Sequence, residues 1–318
     1  MIMLGLFSFS LEVILSTQNK QIEEYLKSRE FGSTTNLQKD SNKYYLSICA
    51  IFRDEARFLR EWIEFHILLG VEHFYLLNNL SSDDYQSVLD PYMKKGIVDL
   101  YQWNYTVQDC GDWFALQDAS YNKIIKEYGH ETKWLAIIDI DEFLFPVKQD
   151  NLQQFLKEYE EFSGVVVNYR MFGTSNIERI PEDKLSIETL IFRAQNDYHQ
   201  HKTIKSIVQP KYIKFMYAHT GDFFPSYYSV TENKERFRGS AWRSSCSVDK
   251  IRINHYWTRD EDFFCNVKIP RDAKTETGRS NEKMLRWKEE FNKEQDFEIF
   301  RFIEPLKNQM AQTITTSG

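Results

Sequence analysis

The residues best suited to catalysis form the triplet Asp139-Ile140-Asp141, which directly follows the apolar run WLAII at 134–138. Acidic residues occupy 47 of 318 positions, so acid-x-acid triplets recur by chance and the pattern alone carries little weight. Its position is informative, because unpaired carboxylates are costly to bury at the end of an apolar strand. Two such carboxylates predict a site for Mg²⁺ or Mn²⁺ that is shared with phosphate oxygens. The alternative is a turn in which Asp139 caps the next segment.

His255 is the predicted third ligand of this metal. Two carboxylates from one strand end cannot surround a cation, and an imidazole nitrogen suits Mn²⁺ as a further ligand. Residues 251–253 alternate in polarity like an edge strand, which would deliver His255 at its end. Tyr256 and Trp257 would then shield the cleft. The alternative is a buried histidine that is hydrogen-bonded in the core.

Composition and missing motifs narrow the class of enzyme. The formal net charge is −7 and no long basic run is present, which argues against an extended nucleic-acid surface. The 24 Phe, 18 Tyr and 7 Trp residues favour a cleft that stacks on sugars or bases. The sequence contains no Walker-type phosphate loop, no G-x-G-x-x-G after the first apolar run and no G-x-S-x-G elbow. Of the enzyme classes considered, this leaves one that acts on a phosphorylated substrate with the help of a metal ion.

The elements that must position these residues are short apolar runs that alternate with helical patterns. Strands are predicted at 45–52, 72–78, 97–103, 134–138 and 164–169. Helices are predicted to end before Gly70 and Gly96 and to cover 113–128 and 152–159, whereas a loop containing Pro146 follows the triplet. This rhythm predicts an α/β fold with a mainly parallel central sheet flanked by helices. Ligands of such sheets bind beyond the carboxyl ends of the strands.

Three regions are predicted along the chain. Residues 1–43 form a variable lead-in, 44–275 one α/β domain and 276–318 a charged, amphipathic helical segment. Residues 2–15 are mostly apolar, but they are too short to span a membrane and lack a basic flank. The four cysteines form no C-x-x-C pair, which indicates a reducing compartment. A cytoplasmic protein with at most peripheral membrane contact is therefore expected.

Several short segments between residues 45 and 270 together form a further recognisable pattern. They are FRDE at 52–55, EWI at 61–63, GVEHF at 70–74, NLSSD at 79–83, KWL at 133–135, DIDEF at 139–143, FGTS at 172–175, KSIVQP at 205–210 and NHY at 254–256. These segments resemble glycosyltransferase family 92 and its bacterial family-2-like relatives. The resemblance implies a GT-A fold, a nucleotide-sugar donor and an Asp-x-Asp metal site.

The chain departs from the family pattern at several positions. Asp54 stands where Asn is usual, and Tyr169 and Thr174 replace the commoner Trp and Ser. Arg259-Asp260 stands in place of a Lys-Ser pair. These positions fall where the donor and the acceptor would be recognised. The departures therefore leave the identity of the sugar undetermined, but they do not change the expected type of reaction.

Five side chains are predicted to hold the nucleoside. Arg53, Asp54 and Glu55 would line its pocket, or else they form only the N-terminal cap of a helix. Asn79 or Asp83 would accept a hydrogen bond from the base, unless turn chemistry alone explains both.

Three further side chains are predicted to contact the sugar and the diphosphate. Gln117 follows Trp113 and Phe114 on a helix and would face the sugar, or else it lies on exposed helix surface. Lys205 and Lys268 would contact the diphosphate, because a cation offsets the charge of the leaving group. Solvated lysines are the alternative.

The predicted reaction is transfer of a hexose from a UDP-sugar to a hydroxyl of a glycan, a glycolipid or another acceptor. The metal would stabilise the departing UDP. The resemblance implies inversion, which requires a general base, and His219 and Asp222 are the candidates unless they only form a turn around Gly221. Two rivals stay open: a D-x-D phosphohydrolase with Asp139 as nucleophile and Asp141 as acid, and a catalytically silent sugar-binding module.

Overall fold

The computed structural model describes residues 42–106, 110–274 and 280–315. Its strands are β1 (Tyr44–Phe52), β2 (His73–Asn78), β3 (Val98–Gln102), β4 (Thr132–Ile137), β5 (Glu142–Pro146), β6 (Gly164–Met171), β7 (Phe192–Arg193), β8 (Ile204–Val208), β9 (Ile213–Met216), β10 (Gly221–Phe223), β11 (Ser229–Val230), β12 (Ile251–His255) and β13 (Glu294–Gln295). Its α-helices are α1 (Ala56–Leu68), α2 (Tyr85–Lys94), α3 (Cys110–Tyr128), α4 (Leu152–Lys157), α5 (Ser186–Thr189), α6 (Glu261–Phe263), α7 (Ile269–Lys274), α8 (Asn281–Glu290) and α9 (Ile303–Thr315). A π-helical turn, Phe264–Lys268, joins α6 to α7.

The central sheet has the strand order β3-β2-β1-β4-β8-β6-β12-β5, and β11 pairs with β6. The first four strands are all parallel, and we call them the parallel half. We call β8, β6, β12 and β5 the mixed half, because β8 runs antiparallel to β4 and β6, and β12 runs parallel to β6 but antiparallel to β5. The predicted α/β class, with a mainly parallel sheet flanked by helices, is confirmed.

The parallel half forms because its strands bury side chains on both faces. Along β1, Ile48 and Ala50 pack on one face of the sheet, and Cys49 and Ile51 pack on the other. Helix α1 covers the first face with Phe58, Trp62 and Phe65, among other residues. Helix α3 covers the second face together with β9. The period of two in β1 and the helical period in α1 are the patterns that the sequence displays.

Gly70 ends the first β-α unit and turns the chain toward β2. Its φ of 90° is accessible to glycine without the Cβ penalty of other residues. The Gly70 and Val71 amides donate to the carbonyl oxygens of Ile67 and His66, each at 2.9 Å, which satisfies the last carbonyls of α1.

Two expectations about strands are wrong. The segment after the triplet is not a loop, because β5 starts at Glu142 and continues to Pro146. Strand β12 is not an edge strand, because it lies between β6 and β5. The polar residues Arg252 and Asn254 suggested an exposed face, but both are buried and have polar partners within the fold.

The C-terminal residues pack against the sheet domain. Strand β13 pairs with β7, and Leu306 of α9 is fully buried in the larger core. The division at residue 275 stays a prediction. In none of the three described stretches is a helix long and apolar enough to cross a membrane. Residues 2–15 lie outside the described residues.

Candidate active site

A cleft of about 240 Å³ opens at the carboxyl ends of β1, β2 and β4, where the two halves of the sheet meet. Ten predicted residues line it: Arg53, Glu55, Asn79, Gln117, Asp139, Asp141, Lys205, His219, His255 and Lys268. A larger, open groove of about 790 Å³ lies between residues 176–189 and 300–304, and within the described chain it includes none of the predicted site residues. The cleft, and not the groove, therefore holds the candidate chemistry.

Asp141 is buried at the inner wall of the cleft, and both of its carboxylate oxygens have partners. Oδ1 lies 3.2 Å from His255 Nε2, and Oδ2 accepts a hydrogen bond of 2.7 Å from Lys268 Nζ. Burial opposes ionisation, but the charges of Lys268 and His255 outweigh it and hold the pKa of Asp141 well below its usual range. Asp141 is therefore an anion that two groups of the chain itself stabilise.

Asp139 is more exposed and faces the other cleft lysine. Its Oδ2 accepts a hydrogen bond of 3.0 Å from the Nζ of the buried Lys205. Burial alone would lower the pKa of Lys205, but the charges of Asp139 and Glu142 raise it above the usual value. The two aspartates of the triplet thus each pair with one of the two lysines that were predicted to contact diphosphate.

Glu142 is a site residue that the sequence reasoning missed. It is fully buried, accepts hydrogen bonds from the Tyr169 hydroxyl and the Asp139 amide, and lies 4.0 Å from His255 Nδ1. Burial raises its pKa to about 7, and the charges of Asp139 and Asp141 act in the same direction. Its position directly after the triplet was the available signal.

The side chains around Asp141 suit a divalent cation. Ligand atoms of Asp141, Glu142 and His255 all lie within 4.8 Å of one another. His255 Nδ1 is buried and has no hydrogen-bond partner among the described residues. Carboxylate oxygens together with an imidazole nitrogen are donors that Mn²⁺ accepts. The donor set and the orphaned nitrogen therefore fit the predicted metal, with Glu142 as an additional candidate ligand.

The side of the cleft that was predicted to hold a nucleoside is formed by the ends of β1 and β2. Glu55 is the N-cap residue of α1, and it lies 3.2 Å from the buried Arg259. Asn79 donates from its amide nitrogen to the carbonyl oxygens of Trp103 and Tyr105, both at 2.8 Å. These contacts fix Glu55 and Asn79 on the wall that Arg53 also lines.

Asp54, Asp83 and Asp222 lie away from the part of the cleft wall that the structure describes. Asp54 Oδ1 accepts from the Ser82 amide, and Asp83 Oδ2 accepts from the Ala56 amide, both at 2.7 Å. These two carboxylates tie the β1–α1 loop to the β2–α2 loop. Asp222 is exposed on β10, where it accepts a hydrogen bond from the Tyr217 hydroxyl. The predicted roles of all three stay predictions.

His219 and Gln117 both face the cleft. His219 Nδ1 lies 2.8 Å from the carbonyl oxygen of Ile204, so Nδ1 carries the proton and Nε2 holds the lone pair. Burial and the Lys205 charge lower the pKa of His219 to about 4, which keeps the ring neutral at pH 7. Gln117 is buried and donates to the Tyr121 hydroxyl, so it does not belong to exposed helix surface.

Other lining residues carried no recognisable pattern in the sequence. Trp113 and Phe114 near the start of α3 line the cleft, and Phe114 is 44% exposed. Arg271 of α7 donates a hydrogen bond of 2.7 Å to the Arg53 carbonyl oxygen. This contact spans 218 residues, which is why spacing along the chain could not reveal it.

Comparisons with known proteins identify related sequences and a matching family. Residues 42–297 match the family model of glycosyltransferase family 92. A family 92 protein of Oryza sativa subsp. japonica is 30% identical over 169 residues, which cover 52% of this chain and 27% of that protein. A galactan beta-1,4-galactosyltransferase of Arabidopsis thaliana is 29% identical over 33% of this chain and 22% of its own length.

Among solved structures, S. aureus TarS 1–349 in complex with UDP-GlcNAc is similar with a TM-score of 0.32 and 12% identity, over 64% of this chain and 62% of that chain. This chain spans less than a third of the length of the two plant relatives. The family match covers 256 consecutive positions of this chain, from the start of β1 to just beyond β13. The chain belongs to glycosyltransferase family 92.

Proposed function

We propose that the cleft binds a UDP-sugar together with Mn²⁺ or Mg²⁺ and transfers the sugar to an acceptor hydroxyl with inversion. One observation carries the proposal: Asp141, Glu142 and His255 converge within 4.8 Å beside two lysines, in a cleft of a family 92 chain. Acidic and imidazole ligands next to cations are what a metal-bound diphosphate requires.

Asp139, Asp141 and His255 would hold the metal, with Glu142 as an additional ligand. When bound, the metal would offset the charge that develops on the departing UDP. Lys205 and Lys268 would contribute further positive charge at the diphosphate.

The remaining lining residues would bind and orient the substrates. Arg53, Glu55 and Asn79 lie on the wall where the nucleoside would bind. Trp113 and Phe114 offer flat faces for stacking on this side. Gln117 would contact the sugar.

His219 is the better placed of the two candidate bases. It lines the cleft, and its Nε2 can take the proton of the acceptor hydroxyl while Nδ1 stays bonded to the Ile204 carbonyl oxygen. Asp222 remains the second candidate, although it lies on the exposed β10. Inversion by a single displacement needs such a base on the acceptor side.

The proposed acceptor is a glycan, a glycolipid or another hydroxyl compound. UDP-galactose is the first donor to test, because one relative is a galactan beta-1,4-galactosyltransferase. UDP-glucose and UDP-GlcNAc complete the first donor set.

The decisive experiment measures thermal stabilisation by UDP with and without Mn²⁺. UDP–Mn²⁺ at 100 times its Kd should stabilise the wild type by ~2.7 kcal/mol. Asp141→Ala should abolish this shift, whereas the control Asp183→Ala, at an exposed position outside the cleft, should retain it. Equal stabilisation of all three proteins would refute the metal site.

Turnover then distinguishes the rival functions. Transfer from a UDP-sugar, with inversion seen by NMR of the fresh product, supports the proposal. Hydrolysis of a simple aryl phosphate would favour the phosphohydrolase. Binding of UDP without turnover would favour the silent module.

A further inference from the structure

Lys268 holds one carboxylate oxygen of Asp141, a residue that belongs to the candidate metal site. Its Nζ donates a hydrogen bond of 2.7 Å to Asp141 Oδ2, and both side chains are buried. Oδ1 of the same carboxylate lies 3.2 Å from His255 Nε2. The chain itself therefore already neutralises Asp141.

The π-helical turn Phe264–Lys268 presents this lysine to the cleft. Turns of this type are rare, and they are frequent at functional sites because the extra residue redirects side chains. Asp260 fixes the start of helix α6, which precedes this turn, since its side chain accepts hydrogen bonds from the amides of Phe263 and Ile180. Lys268 Nζ also lies 5.2 Å from the centre of the Trp257 ring. The lysine thus extends from a fixed element beside an aromatic wall.

Lys205 and Lys268 differ in how tightly the structure holds them. Lys205 Nζ is placed between two carboxylates, 3.0 Å from Asp139 and 4.0 Å from Glu142, on a central strand. Among the described residues, Lys268 makes an ion pair with Asp141 only, and it comes from a helix at the cleft wall. When it moves, Lys268 therefore breaks one ion pair, whereas Lys205 would break two.

We propose that Lys268 is an internal competitor of the metal that becomes a diphosphate contact once the metal displaces it. The inference rests on the proposed function and deepens it, because it couples metal binding to nucleotide binding through one side chain. A divalent cation and an ammonium group repel each other strongly in a buried site, so both cannot contact Asp141 Oδ2. The flexible four-carbon stem of lysine allows Nζ to turn toward the cleft.

This arrangement makes two opposite predictions for removal of the charge. Without nucleotide, Lys268→Met should bind Mn²⁺ about tenfold more tightly or better, because no charge-assisted hydrogen bond must be broken. At saturating Mn²⁺, the same variant should bind UDP about tenfold more weakly, because the displaced cation is missing. The factor by which Mn²⁺ strengthens UDP binding should therefore shrink, and by reciprocity so should the effect of UDP on Mn²⁺.

The experiment measures free Mn²⁺ by electron paramagnetic resonance and UDP by calorimetry, on the full chain. Lys214→Met is the matched control, because Lys214 is exposed on β9 and the same charge is lost. Lys268→Arg keeps the positive charge, so Mn²⁺ should strengthen UDP binding by a larger factor in this variant than in Lys268→Met. If Lys268→Met does not fold, as judged by its metal-free thermal transition, Lys268→Gln replaces it.

An unchanged Mn²⁺ affinity in Lys268→Met would overturn the inference and leave the proposed metal site intact. Failure of both the wild type and the variant to bind Mn²⁺ would overturn the inference and the metal part of the proposed function together. Binding of Mn²⁺ by Lys268→Met alone would support the inference, because it would identify Lys268 as the group that blocks the site.

Discussion

The two halves of the sheet are built from different side chains. In the parallel half, β1 buries mostly apolar side chains, among them Ile48, Cys49 and Ala50, and Ser47 is its one fully buried polar residue. In the mixed half, β12 buries Arg252, Asn254 and His255 in one short strand. The cleft lies at the junction, where Asp139 follows β4 and Lys205 belongs to β8.

This difference shows two ways to stabilise a central strand. Apolar residues in the parallel half gain stability from removal from water and need no particular partner. Each buried polar group in the mixed half requires one, because an unpaired charge in the core is costly. Arg252 pairs with Asp296, and Glu142 pairs with the Tyr169 hydroxyl. The mixed half therefore depends on specific pairs, and four of these polar residues, Glu142, Tyr169, Lys205 and His255, belong to the site or its wall.

The largest expected effect comes from removing one member of a buried pair in the mixed half. Asp296→Ala should lower the free energy of unfolding by about 3–5 kcal/mol, because it leaves Arg252 without its carboxylate. Arg193 loses the same partner. Urea unfolding measures the change.

Glu294→Ala is the matched control for Asp296→Ala. Among the residues that the structure describes, Glu294 forms an ion pair only with Arg193, and its side chain is 38% exposed, so its loss should cost less than about 1 kcal/mol. Similar losses for the two variants would contradict the contrast between the halves.

The second prediction concerns the candidate base His219, which is hydrogen-bonded to Ile204 of β8 in the mixed half. His219→Ala should lower kcat by about 100-fold or more, because the candidate base that lines the cleft would be lost. Asp222→Ala should change kcat by less than about tenfold, since Asp222 is exposed on β10. Steady-state kinetics with saturating UDP-sugar measures both. The opposite ranking would transfer the role of base to Asp222.

The third prediction uses His66 of α1, which links the helix that covers the parallel half to β5 of the mixed half. Its Nδ1–H donates to the Trp62 carbonyl oxygen of α1, and its Nε2 accepts from the Leu144 amide of β5. Burial lowers the pKa of His66 to about 3, below its value of 6.5 in the unfolded chain. The unfolded state therefore binds more protons between these values, and stability falls as the pH falls below about 6.5.

The contribution of His66 should amount to about 2 kcal/mol of lost stability between pH 7 and pH 5. Chemical denaturation of the wild type and of His66→Gln at a series of pH values measures this change. The difference between the two proteins separates the contribution of His66 to the pH dependence from that of the other histidines. A variant whose stability falls with pH as steeply as that of the wild type would show that His66 is not the group responsible.

The smallest effect is expected inside the parallel half. Ile48→Val should cost only about 1 kcal/mol, because one methyl group is lost and no buried charge is uncovered. Ile97→Val, at a half-buried position, should cost less. A loss from Ile48→Val as large as that from Asp296→Ala would remove the proposed difference between the halves.

Much of the parallel half could be predicted from the sequence. The patterns that define β1, α1, β2 and β4 are local, because buried strands and amphipathic helices repeat every two or 3.6 residues. The predicted strand at 45–52 matches β1, Tyr44–Phe52, within one residue. Two strands that were misjudged lie in the mixed half: β5, which contains a proline and was predicted as a loop, and β12, which was predicted as an edge strand although it is internal.

The sequence by itself determined those features that depend on residues close together along the chain. It identified the Asp139-Ile140-Asp141 triplet at a strand end and the family to which the chain belongs. Only the tertiary structure decided which group each carboxylate meets. Lys268 reaches Asp141 across 127 residues, and Arg271 reaches Arg53 across 218. Such pairs depend on how distant strands and helices are placed together, and spacing along the chain does not encode that placement.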